Sequence, residues 1–376
     1  MIQNRRSWLQ TACLSALGLG LSAFDIRPQD PQQLIEDSDI KRLLFNENPY
    51  GPSEAAKNQV LQNLYRSHRY CNFHPQDYQA LKQLIAQQEG LQPANILLGH
   101  GSFEPLSWLA VHFGSNQGQI IVPSPTFDVV GQLAKKIGAE VLPVKVNNNF
   151  QIDLETMEAH LSPKTRLLTL CNPNNPTAQL LPKDRLKSFC RRVSEKCPVL
   201  IDEAYIQYLD NWRSHTMAPL IAEGKQVLIT RTFSKIYGMA GLRIGFLMGS
   251  ADLITALEKK FTMGFPGNMP NVLSVAAALG ALKNQDFLDR SRKRNEQGRE
   301  QLYRELRRLD LPYVESQANF VYFNVEKFPP FKQLMRDHKI VLAGGWPSHP
   351  NWARVTIGKQ EEMAYFVDQL EGKRWM

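Results

Sequence analysis

Four polar clusters in the chain each follow a short apolar run, and each holds residue types that can do chemistry. Gly99-His100-Gly101-Ser102 follows Ile96–Leu98 and precedes a helical pattern. A glycine and a hydroxyl there leave free N–H groups for an anion. Cys171-Asn172-Pro173-Asn174-Asn175-Pro176-Thr177, a turn rich in side-chain amides, follows Leu167–Leu170. Asp202-Glu203-Ala204-Tyr205 follows Val199–Ile201 and sets a carboxylate and a phenol at one strand end. Arg231-Thr232-Phe233-Ser234-Lys235 follows Val227–Thr230, with Gly241 and Arg243 shortly beyond. A lysine that sheds its proton is a nucleophile and a proton carrier, and an arginine fork grips phosphate or carboxylate through paired hydrogen bonds. The cysteines include no C-x-x-C pair, so neither a zinc knuckle nor a dithiol redox site is indicated, and no metal is expected.

These clusters need elements to bring them together. Ile96–Leu98, Gln119–Val122, Glu140–Val144, Leu167–Leu170, Val199–Ile201, Val227–Thr230 and Ile244–Met248 read as strands. Helical spacing fits 53–66 and 76–89, and also 102–113, 126–137, 182–195 and 251–260. Strands apolar on both faces, alternating with helices, predict an α/β fold: a mostly parallel seven-stranded sheet sandwiched by helices. Ligands in such sheets lie beyond the carboxyl ends of the strands, where all four clusters emerge. From about 261 the pattern changes to long helices over 270–309, strands at Asn319–Asn324 and Arg354–Gly358, and helices over 328–337 and 360–371. That predicts a smaller α+β domain. The expected divisions are 1–25 (a leader), 26–69 (an N-terminal segment joining the small domain), 70–262 (the large domain) and 263–376 (the small domain).

The 376 residues carry 44 Lys+Arg against 36 Asp+Glu, a net charge of +8, and 43% are hydrophobic. This excludes disordered, collagen-like and disulfide-scaffold chains. The densest basic run, Arg290 to Arg308, alternates with Glu296, Glu300 and Glu305, as a solvated helix does, so no nucleic-acid partner is expected. Paired Arg5 and Arg6 precede Ser7-Trp8-Leu9 and an uncharged stretch over 11–24 that is too short to span a bilayer. The start resembles a twin-arginine export signal, which implies the export machinery as a partner and a periplasmic or otherwise exported protein, anchored if the signal is uncleaved, with a cytoplasmic enzyme as the alternative. Cys190 and Cys197, seven apart, are expected as buried thiols and not as a bridge.

The strings NENPYGPS at 46–53, NPNNPT at 172–177, DEAY at 202–205, TFSKIYGMAGLRIG at 232–245, ANFVYF at 318–323 and RVTIG at 354–358 occur in one order over residues 40–376. They resemble the fold-type I pyridoxal-phosphate aminotransferases of class I/II, within them the histidinol-phosphate aminotransferase subgroup. The resemblance implies pyridoxal 5'-phosphate as cofactor and Lys235 as the lysine that forms its Schiff base. Asp202 would face the ring nitrogen, and Tyr205 and Asn175 would donate to the ring oxygen. Gly101, Ser102, Thr232, Ser234 and Arg243 would hold the phosphate. Phe127 would stack on the ring, and Tyr70 would reach the cofactor phosphate of a partner subunit, implying a homodimer with shared sites. Arg354 would grip the substrate's anionic group, Asn175 would also contact substrate, and Tyr50 would line the substrate pocket. The activity implied is amino transfer from an amino acid or related amine to a 2-oxo acid. Decarboxylation, elimination or racemisation uses the same lysine and carboxylate, and a binding or regulatory protein could keep the fold; that last reading predicts a lost lysine or cofactor ligand, and none is lost.

Three departures stand out. The family's NPNNPTG ends here in Ala178, which costs only if its φ is positive. Ile340-Val341-Leu342-Ala343-Gly344-Gly345-Trp346 lacks the arginine that histidinol-phosphate enzymes carry near Leu342 or Ala343; Trp346, Trp352 and His349 suggest an aromatic pocket instead. Tyr70 is followed by Cys71-Asn72 where the family reads Tyr-Pro-Asp.

Overall fold

The computed structural model describes residues 40–371 apart from 72–74, 263–268 and 329. The large sheet comprises β2 (Ile96–Gly99), β3 (Gln119–Ser124), β4 (Glu140–Lys145), β5 (Thr165–Cys171), β6 (Val199–Asp202), β7 (Val227–Thr232) and β8 (Gly245–Met248), in the order β2-β8-β7-β6-β5-β3-β4. Only β8 runs antiparallel to its neighbours. Every residue of β2, β6 and β7 is buried, because helices cover both faces and leave no polar side to the strands. The seven expected strands are all present, their ends within two residues of those expected.

The sheet's direction explains the convergence of the clusters. β2, β5, β6 and β7 all end at the same edge, and β8 starts there, with Gly245 paired to both Gly99 and Thr232. Residues 99–102, 171–177, 202–205, 232–235 and 243 therefore crowd around one crevice. The covering helices include Phe103–Gly114, Lys183–Val193 and Ala251–Leu257.

A second sheet orders β1 (Lys41–Leu43), β11 (Ile340–Trp346), β12 (His349–Thr356), β10 (Phe320–Asn324) and β9 (Tyr313–Val314). It is antiparallel except that β1 lies parallel to β11, Lys41 opposite Ile340. The helices Gln285–Arg308, Phe331–Asp337 and Gln360–Glu371 accompany it. β1, β9 and β11 escaped the sequence reading. β1 and β9 have only three and two residues, and β11 carries a Gly-Gly bend at its end that reads as loop. The basic run falls on the helix Gln285–Arg308, whose apolar side buries Phe287, Leu288, Leu302 and Leu306.

The reading of a membrane-anchored protein is corrected: no helix among the described residues is long and apolar enough to cross a membrane. Arg5, Arg6 and the rest of residues 1–25, on which the twin-arginine resemblance rests, lie outside the described residues. Cys71, Cys171, Cys190 and Cys197 are buried free thiols.

Ala178 does sit in the left-handed region, at φ +57°, fully buried. Its N–H donates to the Asn174 carbonyl at 2.6 Å and its carbonyl accepts from the Gln317 N–H at 3.0 Å, so the turn is fixed from both sides. Relieving the backbone with glycine is worth about 1–2 kcal/mol. Glycine's extra chain entropy and the lost buried methyl return about the same amount. Ala178→Gly should therefore lie within about 1 kcal/mol of wild type, whereas Ala178→Val, β-branched and overpacked, should cost about 2–4 kcal/mol. Denaturant unfolding of the two variants checks this; a mild valine variant would show that the turn relaxes.

Candidate active site

A cavity of about 390 Å³ opens at the shared edge, lined by Phe45, Asn46, Glu47, Ser102, Phe103, Phe127, Asn175, Asp202, Ala204, Tyr205, Thr232, Ser234, Lys235, Ala240, Gly241, Arg243 and Arg354. Lys235 follows β7 directly. Its Nζ donates to the Phe45 carbonyl at 2.8 Å and lies 5.8 Å from the centre of the Tyr205 ring. Burial, helped by the nearby Arg354 charge, lowers its pKa to about 8. Asp202, the last residue of β6, is buried and accepts from the Thr230 hydroxyl at 3.0 Å. Burial pushes its carboxyl up to about 6, against the pull of Thr230, the Ala204 N–H and Lys235.

One end of the cavity is a cup of donors. Ser102 is the N-cap of the helix Phe103–Gly114, and its side chain makes no cap bond. Gly101, at φ +73°, lies so close to Arg243 that a Cβ would fall 2.5 Å from Nη2. A Cβ on Gly245 would meet the Gly101–Ser102 backbone at 2.6 Å. Both glycines are needed for the arginine and the helix start to share one space. Arg243 donates to the Ala240 carbonyl at 3.0 Å and more weakly to Ser234 Oγ at 3.4 Å. The Thr232 hydroxyl donates to Ser234 Oγ at 2.8 Å.

Arg354 comes from β12 and is buried. It donates to Asn175 Oδ1 and to the Leu44 carbonyl, while its Nε has no partner. No carboxylate among the described residues pairs with it, and burial lowers its pKa to about 10. A buried guanidinium without an acid is short of one anion. By contrast, Arg231 under the sheet is saturated by Glu203 at 2.8 Å and Glu89 at 2.7 Å. Glu203 thus points away from the cavity into a structural ion cluster.

Three expected residues lie elsewhere. Tyr50 does not line the cavity; its ring packs on the Arg294 guanidinium at 4.2 Å, because the Pro49–Gly51 turn directs it toward the helix Gln285–Arg308. Trp346 is also a correction. It is buried behind Arg354 against Tyr322, with ring centres 5.3 Å apart, and supports the arginine from outside the cavity. Tyr70 projects from the surface, 64% exposed. Conversely, Phe45, Asn46 and Glu47 line the cavity and were not singled out from the sequence, although Asn46 and Glu47 open the NENPYGPS string.

The model of the aminotransferase class I and II family matches residues 38–370. The histidinol-phosphate aminotransferase of Moorella thermoacetica is 34% identical over 357 residues, covering 92% of this chain and 90% of that protein. The crystal structure of histidinol-phosphate aminotransferase from Sinorhizobium meliloti in complex with pyridoxal-5'-phosphate superposes with a TM-score of 0.79 at 24% identity, covering 93% of this chain and 97% of that one. An aspartate aminotransferase structure from Thermotoga maritima gives 0.78 at 22% identity, over 90% and 93%. The fold-type I architecture and a family match across nearly every described residue agree, and the chain belongs to the class I and II aminotransferases, enzymes that work with pyridoxal phosphate.

Proposed function

We propose that this aminotransferase takes the amino group of a carboxylate-bearing donor with a bulky side chain and passes it to a 2-oxo acid, using Lys235 as the covalent and proton-carrying residue. The observation that carries the reading is the placement of Lys235, Asp202 and the acid-free Arg354 on one cavity wall system. The cofactor fits the residues present: the cup of Gly101, Ser102, Thr232, Ser234 and Arg243 offers neutral and cationic donors suited to a phosphate monoester. Asp202 suits a protonated ring nitrogen, Phe127 a flat ring, and Asn175 and Tyr205 its oxygen. When bound, pyridoxal phosphate supplies an electron sink for the substrate's Cα–H electrons. Lys235, with its lowered pKa, is neutral in enough molecules at neutral pH to act as nucleophile and base. Asp202 holds positive charge on the ring nitrogen. Arg354 orients the donor by its carboxylate, and Phe45, Phe103 and Phe127 give the cavity apolar surface for a large side chain.

The same reading makes the active unit a homodimer. Leu61, Leu64, Tyr65 and Tyr70 form an exposed apolar series, 53–75% accessible, and the cavity-lining Phe45 and Phe103 are exposed as well, at 57% and 48%. A second copy covering this series brings Tyr70 toward the partner's phosphate cup. The division into residues 26–69, 70–262 and 263–376 remains our proposed domain scheme. The names of the curated relatives point to a second donor, histidinol phosphate, which has a phosphate and no carboxylate.

The test is incubation of the cofactor-loaded protein with amino acids, histidinol phosphate and 2-oxoglutarate, scoring glutamate. Glutamate formed with at least one donor is the expected result. No glutamate with any donor, alongside release of CO2, an elimination product or the D-enantiomer, would move the enzyme to the decarboxylase, lyase or racemase chemistries.

A further inference from the structure

We infer that Asn46 is a positioning residue that aims the hydroxyl proton of Tyr205 into the cavity. The inference rests on the reading of Tyr205 as a residue that meets the cofactor. A phenol has one hydrogen to donate and an oxygen that accepts. Asn46 Nδ2 donates to the Tyr205 oxygen at 3.0 Å, and Asn175 Nδ2 approaches it at 3.5 Å. Both are N–H groups, and neither can take the hydroxyl proton. With its protein-side contacts occupied by donors, the hydroxyl has its own hydrogen left for the cavity that Tyr205 lines.

The surrounding hydrogen-bond network fixes which way both amides face. Asn46 Oδ1 accepts from the Thr356 hydroxyl at 3.1 Å, while Thr356 Oγ1 accepts the Asn46 backbone N–H at 2.9 Å. The Thr356 proton is thereby committed to Asn46 Oδ1, which leaves the amide nitrogen for Tyr205. The Asn46 carbonyl accepts from Asn319 Nδ2 at 3.0 Å. The residue sits at φ +56°, a conformation asparagine tolerates better than most side chains. Asn175 is oriented by Arg354, which donates to its Oδ1. Asn46, Asn319 and Thr356 are all buried, so water does not compete for these bonds. β12 and the N-terminal segment thus set the donor direction of a tyrosine that belongs to the large sheet.

A hydroxyl donating to the cofactor's ring oxygen favours the anionic form of that oxygen, and losing the bond raises the pH at which the bound chromophore titrates. Asn46→Asp is nearly isosteric but replaces the N–H donor with an acceptor, so Tyr205 turns its proton toward it. The experiment compares wild type, Asn46→Asp, Tyr205→Phe and the double variant, each loaded with pyridoxal phosphate, by pH titration of the visible band and by cofactor dissociation constant. The midpoint should rise by roughly one to two pH units in each single variant. In the Tyr205→Phe background, Asn46→Asp should add little. An equal shift from Asn46→Asp in both backgrounds would mean that the carboxylate acts through its charge alone, and would overturn the inference, as would no shift in either. Thr356→Val, which frees the amide, should shift the midpoint in the same direction by less, and Thr356→Ser should restore it; a valine variant indistinguishable from wild type also overturns it. A wild-type protein that takes up no cofactor strikes instead at the proposed function.

Discussion

Lys235→Ala is expected to abolish the visible band of the pyridoxal-phosphate-loaded protein and to cut transamination by on the order of 10⁴-fold. Lys235 is the only lysine among the cavity's lining residues, so no neighbouring amine stands ready to replace it. Its role depends on the neutral form. Burial in the crevice, with Arg354 and Arg243 adding positive potential, brings its pKa to about 8, against Glu47 and Asp202 acting in the opposite direction. An amine attacks an aldehyde only when unprotonated. Capture of pyridoxal phosphate by the cofactor-free protein should therefore accelerate as pH rises toward about 8 and level off above it. At an ordinary lysine pKa the rise would continue for two further pH units. Stopped-flow absorbance across pH 6–10 reads this directly. A wild type that stays colourless with excess cofactor, or a variant that keeps the band, would remove Lys235 from the chemistry.

That lysine was legible because a run of apolar residues ends in Thr-Phe-Ser-Lys. The large sheet was legible for a related reason: strands buried on both faces leave an apolar signature that survives without context. The cup also followed from sequence, since Gly101 and Ser102 open a helical pattern and Arg243 lies in a glycine-bracketed stretch. The small sheet was harder. β1 and β9 are too short to show a period, and β11 is recognisable only through its partners β1 and β12. The substrate side suffered accordingly. Asn46 bonds Thr356 and Arg354 bonds the Leu44 carbonyl, each across 310 positions, so only its place in the NENPYGPS string marks Asn46 locally and its neighbours are set by the distant β12. Tyr50 was assigned through the family resemblance, and Trp346 from the aromatic residues that stand where the expected arginine is missing. A turn rotates the first toward Arg294, and strand alternation with tight packing places the second behind Arg354.

The donor prediction turns on one cross-strand pair. Ala343 on β11 lies directly opposite Arg354 on β12. Directly opposed residues project to the same face of a sheet, so an arginine at 343 would stand beside the buried guanidinium of Arg354. The histidinol-phosphate resemblance leads one to expect a second cation at this position or at its neighbour Leu342, and position 343 holds a methyl group. Arg354 alone can meet a carboxylate bidentately, but a dianionic phosphate keeps charge uncompensated. Each missing charge-assisted contact costs about 1.5–3 kcal/mol, or roughly one to two decades of affinity. We therefore expect an aromatic or other large amino acid to show a higher kcat/KM than histidinol phosphate, with 2-oxoglutarate as acceptor. Arg354→Leu should lower kcat/KM for carboxylate donors by roughly 10- to 100-fold while leaving the visible band in place, because its fork meets substrate and not cofactor. Ala343→Arg should raise kcat/KM for histidinol phosphate at least tenfold, provided the band confirms that the cofactor still loads. Wild-type preference for histidinol phosphate by tenfold or more would sink the donor assignment and require a cation from another element, with Lys359, just beyond β12, the first to substitute. Loss of the band in Arg354→Leu would place that arginine in the cofactor's grip instead.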